Sequence, residues 1–342
     1  MLATRFYKGQ GLGNQLWCYV VTRSIAADRG YEFGILSPEE FKGVDFLTLD
    51  FGKSKESTLA HYDEQRTNHP LNGADIRIYD EKLMDVADNT EIDGIMQDEQ
   101  YISHRKDEIR EWLRIQPEQD CLDYASDDIC IINFRGSGYV VEKELLLPPK
   151  YWKDAMDNMR AINPHFKFIV ITEDPATART FFPDLEIHHF SIGKDYAIVQ
   201  NAHYLILSNS SFAWFPAWLS TRLKYCIAPK YWARHNISDG FWCPGYSITT
   251  GWLYQDRNGD LHDYNSCKQE LDEYIRHNQD VYSRQNNTCN PSVPIHIRER
   301  IRTFKTLKNE SSFVRALLSM VSMDMHRTII RLKKLSQHIK LK

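Results

Sequence analysis

The feature that most constrains the fold is a regular alternation of strand-like and helix-like segments between residues 129 and 228. The strand-like segments are short and rich in branched and aromatic residues, and they cover residues 129–134, 166–172, 185–189, 204–207 and 224–228. Helix-like segments separate them at 149–162, from 175 onward, at 195–202 and at 212–220, with Asp195 placed to cap the third helix. Because strands joined through helices pair in parallel, this order predicts an α/β fold with helices on both faces of the sheet.

The N-terminal stretch begins in the same way, with a strand at 2–7, a glycine-rich turn at 9–14 and a helix at 15–29. Residues 39–87 are acidic and irregular, which predicts loops and an insertion on the substrate side. A helix near 109–115 is followed by a polar stretch at 118–127 that indicates a domain boundary. We therefore predict domains at 1–125 and 126–290, followed by a tail at 291–342.

The composition is that of a globular protein, with 342 residues of which 42% are hydrophobic and 26% charged. No run of 18 apolar residues occurs, and the early glycine-rich turn leaves no room for a secretory signal. Seven cysteines without paired spacing favour free thiols in a reducing compartment. We expect a cytoplasmic protein without a nucleic-acid partner. Large aromatic residues between 214 and 252 either build a core or line a sugar site: Trp214, Trp218, Tyr231, Trp232, Trp242 and Trp252.

The tail differs in charge from the rest of the chain. Residues 298–342 carry a net charge of +9, which leaves −13 for the remainder. Apolar residues recur there at three- and four-residue steps, at Val314, Leu318, Val321, Met325, Ile329, Leu332, Leu335 and Ile339. Cationic residues occupy another helical face, at Arg327, Arg331, Lys334 and His338. This pattern predicts a basic amphipathic helix that contacts the inner face of a membrane peripherally, and packing on an acidic protein surface or a second subunit is the alternative.

A first motif, Gly-Gln-Gly-Leu-Gly-Asn-Gln, occupies the strand-to-helix turn at residues 9–15. Its Gly11 and Gly13 let backbone N–H groups approach a ligand, and the start of the helix favours an anion. A dinucleotide fingerprint requires glycine where Asn14 stands, which argues against an enzyme that uses NAD. A plain tight turn is the other interpretation of these glycines.

A second group of polar residues follows the strands of the predicted parallel sheet. Arg135 follows the first strand, Glu173 and Asp174 follow the second, and a Ser-Asn-Ser-Ser run at 208–211 follows the fourth. Ligands of open parallel sheets bind beyond the carboxyl ends of the strands. An arginine and serines at a helix start suit a diphosphate, and a carboxylate accepts from ribose or base N–H groups. Asp174 and Ser211 could equally act as simple helix caps.

These motifs resemble the α-1,2-fucosyltransferase family. The opening Gly-Leu-Gly-Asn-Gln-Leu with Tyr19, Arg23 and Ala26 is similar to the start of that family. Residues 93–101, Asp-Gly-Ile-Met-Gln-Asp-Glu-Gln-Tyr, resemble its Gly-x-x-Gln-Ser-Glu-x-Tyr segment. Asp195-Tyr-Ala-Ile and then residues 209–219, Asn-Ser-Ser-Phe-Ala-Trp-Phe-Pro-Ala-Trp-Leu, resemble its Asn-Ser-Ser-Phe-Ser-Trp-Trp-Gly-Ala-Trp-Leu block. The resemblance extends in order over about residues 5–235.

One motif departs from the family pattern. The family's His-x-Arg-Arg-Gly-Asp-Tyr appears here as residues 133–139, Asn-Phe-Arg-Gly-Ser-Gly-Tyr. Arg135 keeps the first arginine, which in the superfamily contacts the donor phosphates, whereas the histidine, second arginine and aspartate are missing. The departure leaves the donor sugar and the acceptor linkage open.

The resemblance implies a GT-B-like fold, with two Rossmann-like domains facing a cleft and the C-terminal helical tail as an addition. It implies inverting, metal-independent transfer of a sugar, expected to be L-fucose from GDP-fucose, to a hydroxyl of a glycan acceptor such as a galactoside. No Asp-x-Asp follows a strand to hold a metal, so we expect no metal and no cofactor besides the donor substrate.

The residues expected to bind the donor are Gly11, Gly13, Asn14, Arg135, Glu173, Asp174, Asn209, Ser210, Ser211 and Phe212. Those expected to act in catalysis are Arg135, Glu99 and Asp174. The general base is open among Glu99, Glu173 and Asp174. A transferase for another GDP-sugar and a non-catalytic nucleotide- or carbohydrate-binding homologue are the alternatives.

Overall fold

The N-terminal sheet has four parallel strands. The structure, a computed structural model, describes residues 1–53, 59–68, 75–77, 79–140, 144–242 and 248–278. In chain order, the strands of the N-terminal half are β1 (Leu2–Arg5), β2 (Phe33–Leu36), β3 (Ala60–Asp63), β4 (Arg66–Asn68), β5 (Asp75–Arg77) and β6 (Thr90–Asp93). The parallel sheet has the order β2-β1-β6-β3, and β4 pairs with β5 in a separate antiparallel ribbon. The expectation of loops throughout 39–87 is therefore wrong, because β3 pairs in register with β6 and completes the sheet.

Among the described residues of this half, the α-helices are α1 (Leu12–Arg29), α2 (Glu81–Met84) and α3 (Lys106–Trp112). The first helix is buried along most of its length, since thirteen of its eighteen residues are buried. It ends at Gly30, whose left-handed backbone (φ 68°) directs its N–H to the carbonyls of Ala26 and Ala27. A helix buried on more than one side packs both on its own sheet and on a second layer.

The second half of the described chain forms a seven-stranded sheet. Its strands are β7 (Ile129–Asn133), β8 (Lys167–Ile171), β9 (Glu186–His188), β10 (Tyr204–Leu207), β11 (Tyr225–Pro229), β12 (Leu253–Gln255) and β13 (Leu261–His262). The helices are α4 (Pro149–Arg160), α5 (Pro175–Phe181), α6 (Ile192–Asn201), α7 (Ser211–Leu219) and α8 (Tyr264–His277). Along the sheet the order is β13-β12-β11-β10-β7-β8-β9, parallel throughout except for β13.

This strand order is that of a Rossmann sheet, in which successive strands wind outward in both directions from the first strand. The point of reversal lies between β7 and β10, where Asn133 pairs in register with Leu207. Together the two parallel sheets confirm the predicted α/β class with two Rossmann-like halves. The predicted strands and helices from 129 to 229 fall within a few residues of those observed.

Helix α7 packs against α1 through aromatic side chains. The Trp17 ring lies 4.3 Å from the Trp214 ring and 4.8 Å from the Phe215 ring, centroid to centroid. Trp214 and Trp218 stack one helical turn apart. The five tryptophans between 214 and 252 are buried, so these aromatic residues build the core rather than a sugar site.

Residues Met1–Gln285 form one compact unit, and the remainder of the chain lies outside the described residues, so the predicted tail at 291–342 stays a prediction. Cys18, Cys121, Cys130, Cys226 and Cys267 are free and buried, in line with the expected free thiols. Within the described ranges, no helix has the length and apolar character needed to cross a membrane.

Candidate functional site

The carboxyl ends of β7 and β10 are held together by Asn133 and Ser208. The Ser208 N–H donates to the Asn133 carbonyl at 3.0 Å, and its hydroxyl donates to Asn133 Oδ1 at 3.1 Å. Beyond them, the hydroxyl of Tyr139 donates to the Asn209 carbonyl at 3.2 Å. These bonds fix both chain segments where strand order reverses, which is the position at which open α/β sheets bind ligands.

A cavity of about 140 Å³ opens at this edge of the sheet. Its polar lining comes from four strand ends, at Arg135, Glu173, His189 and Ser210, and from Asp195 on α6. The apolar lining consists of Phe134, Ile171, Ile192 and Phe212. Ordinary ligand sites measure roughly 300–1,000 Å³. The cavity therefore has room for one part of a nucleotide-sized ligand, with the rest extending beyond it.

Arg135 and Glu173 form the charged pair of the cavity. Arg135 Nη1 lies 3.0 Å from Glu173 Oε1, and both side chains are about one-third exposed, at 36% and 30%. The contact is not aligned as a hydrogen bond, so Glu173 Oε1 is buried without a hydrogen-bond partner among the described residues. Burial raises the pKa of Glu173, and the charge of Arg135 opposes that shift. The cavity thus presents an arginine beside a largely buried carboxylate.

Asp174 caps helix α5 instead of pointing freely into the site. Its Oδ1 accepts from the Thr177 N–H at 3.1 Å, as the simple-cap interpretation anticipated. Its side chain also occupies the space beside Gly136, where an added Cβ would lie 2.8 Å from Asp174 Oδ2. The missing second arginine of the family motif falls on Gly136. Any side chain at position 136 would therefore meet Asp174 and require it to shift.

The run of serines at 210–211 starts helix α7. Ser210 is the N-cap, and its hydroxyl accepts from the Phe212 N–H over a long 3.4 Å. The Ser211 hydroxyl instead donates to Asn14 Oδ1 at 2.9 Å. Asn209 donates to the Leu145 carbonyl at 2.9 Å, while its Oδ1 is buried and unpaired within the described chain. Of the predicted donor-binding serines, Ser210 therefore lines the cavity and Ser211 links the two halves.

The N-terminal glycine turn reaches the start of α7. Asn14 Oδ1 accepts from Gln97 Nε2 at 2.8 Å as well as from Ser211, so three separate sequence motifs meet at one amide. A Cβ added to Gly13 would lie 2.3 Å from backbone atoms of Ser211. Gly11, by contrast, has open space on its Cβ side and ordinary extended dihedrals (φ −68°, ψ 147°). Gly13 is thus required for the packing of α1 on α7, and Gly11 leaves free space next to the turn.

Glu99 lies apart from this lining. Its Oε1 accepts from the Trp218 indole N–H at 2.7 Å, and Lys106 sits over the same indole at 4.8 Å from its centroid. Burial raises the pKa of Glu99. The carboxylate ties the 3₁₀ turn Glu99–Tyr101 to the end of α7, and its predicted catalytic role remains a prediction.

His189 and Asp195 line the cavity, a position that the sequence did not predict for either residue. His189 Nδ1 lies 2.9 Å from Asp195 Oδ2, and Asp195 Oδ1 accepts from the Phe190 N–H at 3.0 Å. The expectation that Asp195 caps α6 is wrong: Ser191 is the cap, because the helix begins three residues earlier, at Ile192. Burial raises the pKa of Asp195, opposed by its bonds to Phe190 and His189. His189 follows β9 as Arg135 follows β7, so the strand-end rule would have found it.

No protein-family profile and no curated protein sequence matches the chain. Similar solved structures are glycosyltransferases. The fucosyltransferase NodZ from Bradyrhizobium is 12% identical with a TM-score of 0.39, and the match covers 64% of this chain and 92% of that one. A family 9 glycosyl transferase from Veillonella parvula is 10% identical with a TM-score of 0.39, over 81% of this chain and 97% of that one. A NodZ alpha-1,6-fucosyltransferase soaked with GDP-fucose is 13% identical with a TM-score of 0.37, over 64% and 92%.

Proposed function

We propose that this chain is a glycosyltransferase that binds a nucleoside-diphosphate sugar where the strand order of the second sheet reverses. One observation carries the proposal: Arg135, the Glu173 carboxylate paired with it and the Ser210 start of α7 line one cavity at that point. A guanidinium and a helix start attract phosphate, and a carboxylate can accept hydrogen bonds from ribose hydroxyls or base N–H groups. The motif resemblance points to the same class of ligand.

The diphosphate is assigned to Arg135 and the first turn of α7. About one-third of the Arg135 side chain is exposed to solvent, so its guanidinium can turn from Glu173 to phosphate oxygens. When the glycosidic bond breaks, negative charge grows on the departing nucleotide, and this pair of groups compensates it. Arg135 is therefore the proposed catalytic residue that acts on the leaving group.

The nucleoside is assigned to the side of the cavity formed by Glu173, His189 and Phe212. The Asp195 carboxylate fixes the His189 ring through Nδ1, which leaves Nε2 as the ring atom for a ligand. Phe212 adds a flat apolar surface beside these polar groups. This combination suits a base with both ring faces and hydrogen-bonding edges, as in GDP.

For the sugar, we propose L-fucose, transferred with inversion and without a metal to a hydroxyl of a galactoside-containing glycan. Support comes from the resemblance of residues 9–15, 93–101 and 209–219 to the α-1,2-fucosyltransferase family. The N-terminal half at 1–125 is proposed to bind the acceptor. The general base that takes the proton of the acceptor hydroxyl is proposed to be one of Glu99, Glu173 and Asp174. Another GDP-sugar donor is the alternative within the same class.

A non-catalytic nucleotide-binding homologue is the second candidate function. The observation that favours it is Gly136, which stands where the motif has its second arginine, so one cationic contact to the donor is missing. Such a protein would bind GDP and release none from a sugar donor.

The test is calorimetry with GDP together with a GDP-release assay across GDP-fucose, GDP-mannose and UDP-sugars, with and without galactoside acceptors. We expect micromolar GDP binding and acceptor-dependent release from GDP-fucose, and product NMR would report the anomeric configuration. GDP binding without release from any donor would support the non-catalytic candidate. Absence of GDP binding would contradict both.

A further inference from the structure

Three potential metal ligands lie together on one face of the N-terminal sheet: His61, Asp63 and Asp93. Strands β3 and β6 are parallel, and their register places Asp63 directly beside Asp93. His61 precedes Asp63 by two residues and so projects from the same face of β3. A potential ligand atom of each residue lies within 4.8 Å of a potential ligand atom of each of the other two.

The register forces two carboxylates together at the strand ends. Like charges at directly paired positions repel each other, and a cation bound between them relieves that repulsion. On the same face, Glu91 is the strand neighbour of His61 and forms an ion pair with Arg5, whose Nε lies 3.0 Å from Glu91 Oε1. At the strand ends, His61 Nε2 lies 3.2 Å from Asp63 Oδ1, so an imidazole nitrogen is already directed into the carboxylate pair.

We propose that His61, Asp63 and Asp93 bind a divalent transition-metal ion. Nitrogen and carboxylate oxygens bind such ions at about 2.0–2.2 Å, so ligands of one ion lie roughly 3–4 Å apart. The candidate ligand atoms lie within 4.8 Å of one another, close to that spacing. Magnesium and calcium favour oxygen-only sites, whereas an imidazole with carboxylates suits Mn²⁺, Co²⁺ or Zn²⁺. Three protein ligands leave coordination positions for water or for a ligand oxygen.

The site lies at the carboxyl edge of its sheet, where parallel sheets bind ligands. It is distinct from the cavity of the second sheet, whose lining includes none of the three residues. The ion is therefore expected to stabilise the N-terminal half without taking part in GDP binding. The metal-site proposal and the proposed function can accordingly fail independently.

The experiment titrates the full chain, free of any affinity tag and pretreated with EDTA, with Mn²⁺, Co²⁺ or Zn²⁺ in a calorimeter. We expect one saturable site whose metal affinity falls by roughly 10–100-fold or more in Asp93→Asn and in His61→Ala. Replacing residues that only hydrogen-bond to metal ligands already lowers metal affinity by that factor. His104→Ala is the matched control. His104 is 46% exposed against 50% for His61, and it also lies beside an aspartate, Asp28, at 2.9 Å.

Two further measurements keep the test decisive. The near-ultraviolet spectrum of the Co²⁺-bound chain should lack a thiolate-to-metal charge-transfer band, which separates this site from any cysteine site. Bound metal should also raise Tm in the native chain and in His104→Ala, and not in Asp93→Asn. If Asp93→Asn fails to fold, His61→Gln at the half-exposed position serves in its place. Equal affinity in native and variant chains, or no saturable binding at all, would overturn the proposal.

Discussion

Arg135 is the residue on which the proposed donor site most depends. Truncation to alanine removes charge-assisted hydrogen bonds worth about 1.5–3 kcal/mol, which is roughly a 10- to 150-fold loss of GDP affinity. Calorimetry with GDP measures this loss directly. Arg179→Ala is the control, because it removes the same charge from an exposed position on α5 outside the cavity lining. Unchanged GDP affinity in Arg135→Ala would mean that Arg135 does not contact the phosphates.

Asp174 has two candidate roles that conservative variants separate. Asp174→Ala removes the cap of α5 and should cost about 0.5–2 kcal/mol of stability, measured by urea unfolding. Asp174→Asn retains a good cap, so its stability should stay close to native. If the carboxylate also binds the nucleotide, Asp174→Asn should lose GDP affinity while remaining stable. Equal GDP affinity in native and Asp174→Asn chains would leave the cap as its role.

At the scale of residues, the sequence predicted several side chains that line the cavity but not the contacts between them. Residues that follow strands, such as Arg135 and Glu173, were predictable because the carboxyl ends of parallel strands share one edge. The bond between His189 and Asp195 was not, since it depends on where α6 begins relative to β9. The pairing of Ser211 with Asn14 joins residues 197 positions apart, and no local pattern encodes such a contact.

At the scale of elements, the periodic segments were predictable and the short edge segments were not. Strand β10 (Tyr204–Leu207) lies where the apolar run indicated, because a strand buried on both faces is continuously apolar. Strand β3 (Ala60–Asp63) escaped prediction, since its sequence Ala-His-Tyr-Asp is half exposed and mostly polar. It forms a strand because it pairs with the edge of β6. Here the tertiary contact outweighs the weak strand propensity of the sequence.

The contact between α1 and α7 gives the prediction that belongs to elements. Gly13→Ala places a Cβ 2.3 Å from the Ser211 backbone, which cannot rotate away, so the helices must separate. We expect a loss of about 1–3 kcal/mol in the free energy of unfolding. Gly11→Ala is the matched control, because its Cβ would meet nothing within 4 Å and its φ of −68° suits alanine. Equal destabilisation by both variants would contradict the close packing of α1 on α7.

For the whole molecule, the proposed chemistry predicts that sugar transfer continues in excess EDTA. Charge on the departing nucleotide is compensated by Arg135 and the start of α7, neither of which needs a cation. EDTA is nevertheless expected to lower Tm, because it would remove the ion proposed at His61, Asp63 and Asp93. Rates of GDP release and melting curves, recorded on the same EDTA-treated sample, separate the two effects. Loss of transfer that Mg²⁺ or Mn²⁺ restores would reject metal-free transfer.

The predicted basic tail at 291–342 lies outside the described residues, and its role is a prediction from charge and periodicity alone. We expect the full chain to co-sediment with anionic vesicles at low salt and to be released as salt rises. Each cation near an anionic bilayer contributes about 1 kcal/mol, so reversal of three charges should abolish binding. Arg327→Glu, Arg331→Glu and Lys334→Glu provide that reversal on the polar face of the predicted helix. As a control, Arg110→Glu, Arg160→Glu and Arg222→Glu change the net charge equally at positions outside the tail. If the tail variant sediments like the control, membrane attachment through the tail is wrong, and a protein surface is the better partner for its apolar face.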